Sequence, residues 1–156
     1  MQREHHYAVT MTWTGNRGTG TSDYTAYSRN HEISGEGKAA RIEGSSDPAF
    51  RGDPQRFNPE ELLVAALSSC HMLAFLHLCA DAKIVVVEYR DAAIGAMLQH
   101  GTTGEFTRVT LRPHVVITDP ARLAELEMLH HQAHEQCFIA RSVNFEVGCE
   151  ATAAAA

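Results

Sequence analysis

Residues 58–82, NPEELLVAALSSCHMLAFLHLCADA, decide how this chain is organised. Pro59 fits a first helical position, where its missing N–H is no loss. Asn58 before it is a favoured N-cap residue. Glu60 and Glu61 fall in the first turn, which the helix dipole favours for negative charge. From Leu62 to Leu67 and from Met72 to Leu78 the segment is apolar almost all round, the mark of a buried helix. At 1.5 Å per residue it spans about 37 Å, more than a small domain is wide. Ser68, Ser69, Cys70, His71 and His77 interrupt it and argue against a membrane span. Such a helix needs cover on several sides, from a sheet and from a second subunit.

The rest of the chain supplies that sheet. His5–Trp13 alternates and is rich in Val, Thr, Tyr and Trp, so a strand is expected. Ser22–Tyr27 and His31–Ser34 read as two more. Gly35–Phe57 has no lasting period and is rich in Gly, Ser, Asp and Pro. A loop of this length suggests a role, and it carries Arg51 and Arg56 into the helix. After the helix, Ile84–Met97 and Phe106–Thr118 read as one hairpin, with Pro113 marking an edge or bulge. Asp119 and Pro120 cap a second helix to about Gln136, with Leu123, Leu126, Leu129 and Ala133 on its apolar side. Ser142–Cys149 closes the pattern as a last strand. The order implies an α+β fold of residues 1–152 as a single domain. Ala153–Ala156 is expected to be a disordered tail.

With 156 residues the chain is long enough for a real core. Its net charge of −6 and lack of a basic stripe exclude a general nucleic-acid binder. The opening MQREHHYAV has no apolar signal region, so a cytoplasmic protein is expected, with no membrane partner. Cys70, Cys79, Cys137 and Cys149 show no CxxC spacing, which speaks against a zinc ribbon or thioredoxin motif. In that compartment a disulfide is more often transient and catalytic than structural.

Cys70 and Cys137 stand in distinctive places, one inside the long helix and one at the end of the second. Taken alone, a cysteine in an apolar helix is most simply a small core residue. A thiol becomes a nucleophile as its thiolate, which a nearby arginine stabilises, and a carboxylate can orient that arginine through paired hydrogen bonds. Glu60 lies ten positions before Cys70, close to three helical turns. Cys, Arg and Glu with a second Cys form a sensible peroxide-reducing set. Among the histidines, His130 and His134 lie four apart on one helix face, and His131 and Cys137 are near in sequence. Without an HExxH pattern no metal site and no cofactor is expected, and solvated or capping histidines are the plainer reading. His71 either tunes Cys70 or is packed and hydrogen-bonded. Cys79 and Cys149 read as structural.

Asn58-Pro59-Glu60-Glu61-Leu62-Leu63 followed by Ser68-Ser69-Cys70-His71 resembles the signature of the OsmC/Ohr family, the osmotically inducible and organic-hydroperoxide-resistance proteins. His134-Glu135-Gln136-Cys137 resembles its second cysteine motif, and the element order agrees from His5 to Cys149. The resemblance implies antiparallel sheets wrapped around a long central helix in an intertwined homodimer, with active sites at the subunit interface. It implies Cys70 as the peroxidatic cysteine, Cys137 as the resolving one, and Glu60 as the carboxylate orienting a catalytic arginine. That arginine is Arg51, in Phe50-Arg51-Gly52, with Arg56 as rival. The implied reaction reduces organic hydroperoxides through a Cys70 sulfenic acid and a Cys70–Cys137 disulfide, re-reduced by a dithiol of lipoyl type. The alternatives are a non-catalytic relative that binds a hydrophobic small molecule at the dimer interface, and a zinc-binding protein. The chain departs from the family at His71, where an aromatic residue is common, and at Phe138, where a proline is common.

Overall fold

The start of the long helix is built as its sequence dictates. In the computed structural model, which describes residues 3–156, helix α1 runs Pro59–Asp81. The Asn58 side chain accepts from the Glu61 N–H at 2.8 Å, and the Glu61 carboxylate accepts from the Asn58 N–H at 3.0 Å. This reciprocal capping box satisfies two of the donors that a helix start leaves open. At the other end Lys83 adopts a left-handed backbone with φ 60°, and Ile84 donates its N–H back to the Cys79 carbonyl. The buried residues of α1 are Leu67, His71, Phe75 and Cys79, a stripe at four-residue steps along one face. Leu73, off that stripe, is 63% exposed.

The chain forms two compact units, one ending at Leu62 and one running from Leu63 to Ala156. In the first, β1 (Thr10–Trp13), β2 (His31–Ser34) and β3 (Ile42–Gly44) make an antiparallel sheet in that order. The strand expected from His5 is confined to its last four residues. Ser22–Tyr27 is not a strand but a series of turns. The reason is Arg29, whose guanidinium lies 4.2 Å from the centres of both the Tyr24 and Tyr27 rings. It also donates to both residues' carbonyls, so these aromatics fold around a cation rather than along a ladder. β3 lies inside the segment expected to be wholly loop.

In the second unit two three-stranded sheets replace the single hairpin expected from the sequence. One has the order β4 (Val86–Asp91), β7 (Pro113–Ile117), β9 (Thr152–Ala155). The other has the order β5 (Ile94–His100), β6 (Thr103–Leu111), β8 (Glu146–Cys149). Each hairpin strand breaks once and changes sheet, at Ala92-Ala93 and at Arg112. Asp91 spans the break: one carboxylate oxygen accepts from the Arg112 N–H at 2.7 Å and the other from the Ser68 hydroxyl at 2.6 Å. Pro113 has no N–H to pair, which suits the first position of a new strand.

The sheets are mixed, because β8 runs parallel to β6 and β9 parallel to β7. The alanine run is therefore not a disordered tail. Ala153, Ala154 and Ala155 pair with Val115, Val116 and Ile117. Backbone ladder bonds need no side chain, so composition alone gave no sign of this strand. The second helix is shorter than expected. Pro120–Glu125 is 3-10, capped by Asp119, and α2 spans Leu126–Gln136.

Two apolar clusters hold this unit. Phe75 and Cys79 of α1 pack with Ile84, Val115, Ile117 and the α2 residues Leu126, Leu129 and Ala133. Leu67, one turn before His71, packs with Val109 and Leu111. Phe75→Ala in the first cluster should cost about 3–5 kcal/mol, as large-to-small changes in cores do.

Candidate functional site

Cys70 occupies the middle of α1 and is partly accessible, whereas Cys137 is 1% exposed. Cys137 closes α2: its backbone turns extended, with φ −73° and ψ 107°, and its N–H donates to the His134 carbonyl. The Ala140 N–H lies 3.4 Å from its sulfur and donates to it. Burial pushes the Cys137 thiol up to about 11, and the neighbouring Cys70 thiol adds to the rise. The structure thus brings together the two cysteines the sequence singled out, both as free thiols. The accessible one sits on a rigid helix and the buried one at a helix end.

Arg51 and Glu60 belong to the first unit. The loop before α1 is wound tightly around Asp47, which accepts from Ala49 through its side chain and from Phe50 and Gly52 through its carbonyl. A Cβ at position 52 would stand 1.5 Å from the Ser46 carbonyl oxygen, so only glycine fits there. Arg51, just before it, has φ 66°. A left-handed backbone at a non-glycine residue costs of order 1 kcal/mol. Arg51 is exposed and forms no ion pair among the described residues, whereas Arg56 lies 3.4 Å from Glu43 and 3.6 Å from Asp53. Glu60 is half-buried in the first turn of α1 and likewise forms no ion pair among the described residues.

The residue after Cys70 faces elsewhere. His71 is buried, and its Nε2 lies 3.0 Å from Nδ1 of His130 on α2. The Cys149 sulfur, at the end of β8, lies 3.9 Å from the same His71 nitrogen. His130 stacks on Phe75 with ring centres 3.9 Å apart. Burial, then the neighbouring His71, hold His130 down at about 4, and burial lowers His71 as well, so both rings are neutral near pH 7. His71 is thus the packed, hydrogen-bonded histidine of the two readings. The pair His130 and His134, weighed and set aside in the sequence, is not the ligand-type grouping formed among the described residues. Sequence reasoning missed the juxtaposition of His71, His130 and Cys149, since 59 and 78 residues separate the contacting pairs.

A family model described as OsmC-like protein matches residues 52–151. Among solved structures, an OsmC-like protein of unknown function from Vibrio cholerae is 36% identical. The alignment covers 96% of this chain and 100% of that one, with a TM-score of 0.85. An organic hydroperoxide resistance protein from Elizabethkingia anophelis is 21% identical over 99% of this chain and 100% of its own, with a TM-score of 0.65. A Legionella pneumophila structure described as an organic hydroperoxide resistance protein OsmC and predicted redox protein is 18% identical. It covers 97% of this chain and 99% of its own, with a TM-score of 0.63. No curated protein sequence matches the chain significantly.

Proposed function

The chain belongs to the OsmC-like protein family, and from that premise we propose that it is a cysteine-based peroxidase for organic hydroperoxides. The observation that supports the reading is the placing of Cys70 beside Cys137, a buried thiol at the end of α2. The Cys70 thiolate attacks one peroxide oxygen, the O–O bond breaks, and the other oxygen leaves with a proton as the alcohol. Cys70 is then a sulfenic acid. The Cys137 sulfur attacks it, water leaves, and a disulfide forms. A dithiol, oxidised in turn to its own disulfide, restores both thiols.

Arg51 stabilises the thiolate in this reading, and Glu60 orients Arg51. The left-handed backbone of Arg51 and its freedom from Glu43 and Asp53 favour it over Arg56. The family resemblance implies active sites at the subunit interface, so in this reading Arg51 and Glu60 act on Cys70 within a homodimer formed over exposed apolar residues of α1 such as Leu73. Counting free thiols before and after one equivalent of cumene hydroperoxide tests the proposal. Loss of two thiols per chain without an intermolecular crosslink is expected, and an unchanged count overturns it in favour of a non-catalytic binder.

A further inference from the structure

We propose that His71, His130 and Cys149 form a zinc site, distinct from the Cys70–Cys137 pair. Nε2 of His71, Nδ1 of His130 and the Cys149 sulfur all lie within 4.8 Å of one another. The site draws one ligand from each of α1, α2 and β8, so it is fixed by the packing of the whole second unit.

The distances suit one ion. Zinc sits 2.0–2.1 Å from histidine nitrogen and about 2.3 Å from thiolate sulfur in tetrahedral geometry. Those lengths place two nitrogens about 3.3 Å apart and nitrogen and sulfur about 3.6 Å apart. The observed separations are 3.0 Å and 3.9 Å, so shifts of a few tenths of an ångström would seat the ion. Two imidazoles and a thiolate are also the borderline-soft donor set that zinc takes.

A second observation concerns Nδ1 of His71, which is buried without a hydrogen-bond partner among the described residues, in a residue 1% exposed. The two facing nitrogens share one proton between them. Binding places that proton on the far nitrogen of the ring that carried it, and Cys149 releases its own to solvent. Asp91 is the carboxylate that acts on the His71 ring from the sheet break. The fourth position is supplied from outside. His130 and Cys149 line a cavity of about 600 Å³ with His134 and Glu127, which admits the ion and leaves room for water or a small anion on it.

The test uses the full chain, reduced and stripped of metal, with no peroxide present, so its outcome is independent of the peroxidase reading. Zinc is titrated against a chromogenic chelator, and cobalt is added separately as a spectroscopic stand-in. One zinc per chain is expected, together with a thiolate-to-cobalt charge-transfer band and the intense visible bands of tetrahedral cobalt. Cys149 is near the surface, so Cys149→Ser should fold. It should abolish the charge-transfer band and weaken zinc binding at least tenfold, since even outer-shell losses cost about 10–100-fold. His130→Ala should weaken binding similarly, while Cys137→Ser and His131→Ala keep both signals. The proposal is overturned if no stoichiometric binding occurs. It is also overturned if Cys149→Ser binds as before, or if Cys137→Ser loses the band, which would put the metal on the dithiol.

Discussion

Cys70 and His71 are neighbours in sequence and about 100° apart around α1, and that one step separates two chemistries. Cys70 faces Cys137, a thiol beside a thiol, reached from solvent on one side. His71 faces His130 and Cys149, two neutral rings and a thiol, inside the stripe that carries the core. The first arrangement suits bond exchange, because its second member ends a helix, where the chain can adjust. The second suits holding something still, because its members come from three packed elements. A helix offers both environments at adjacent positions only when its buried stripe is narrow, as in α1.

Separating the two faces by mutation gives the largest expected effect. Cys70→Ser should abolish reduction of organic hydroperoxide entirely, read as peroxide consumed per chain, while Cys149→Ser should leave the first turnover intact. Peroxidase activity surviving in Cys70→Ser would remove the catalytic assignment. Next, Cys137→Ser should still consume one equivalent of peroxide but stop there. Its Cys70 sulfenic acid should be trapped by dimedone and be open to over-oxidation. Steady turnover of that variant with a dithiol and no adduct would end the two-cysteine scheme.

A third expectation concerns pH. Burial is the first cause holding Cys79, Cys137 and Cys149 at about 11, above the ordinary 9. Only about 1% of each is thiolate at pH 9, rising tenfold per unit. Site-resolved alkylation should therefore label the two buried thiols, Cys79 and Cys137, only as pH approaches 11. The folded state holds these protons longer than the unfolded chain does. Stability accordingly falls as pH rises from 9 to 11. Labelling of Cys137 ahead of Cys70 at neutral pH would reverse the assigned roles. Smallest, Arg51→Ala should slow Cys70 alkylation about tenfold, the scale of one charge interaction of about 1.4 kcal/mol. Arg56→Ala, which removes a side chain already engaged by Glu43 and Asp53, should change it little. The opposite ranking would transfer the role to Arg56.

How much of this was legible follows from the range of the interactions. The start of α1 was readable because a capping box is local: Asn58, Pro59 and Glu61 specify it among themselves. The Cys70–Cys137 pair was reached through motif resemblance, and the structure sets the two thiols side by side. The sheet exchange was not readable at Ala92-Ala93, where small residues run on without a turn signal, and at Arg112 the following Pro113 signalled an edge or bulge but not a change of sheet. The turns at Ser22–Tyr27 hid behind strand-like residues whose partner is Arg29. The alanine strand β9 was invisible for a third reason, since its pairing uses backbone alone. His71, His130 and Cys149 meet only after both helices and β8 have docked, and no spacing rule reaches that far.

The Asp91 crossover has a consequence for how the second unit comes apart. β4 continues into β5, β6 into β7 and β8 into β9, so the two sheets are covalently joined three times, the first two junctions lying side by side. The Asp91 carboxylate fastens one junction to the other through Arg112, and both to α1 through Ser68. Neither sheet can peel away while the other stays intact. In hydrogen exchange the slow amides of β4, β5, β6 and β7 should therefore open together with one free energy, as a single cooperative block. Asp91→Ala should divide that block, and the two sheets should then exchange at separate rates.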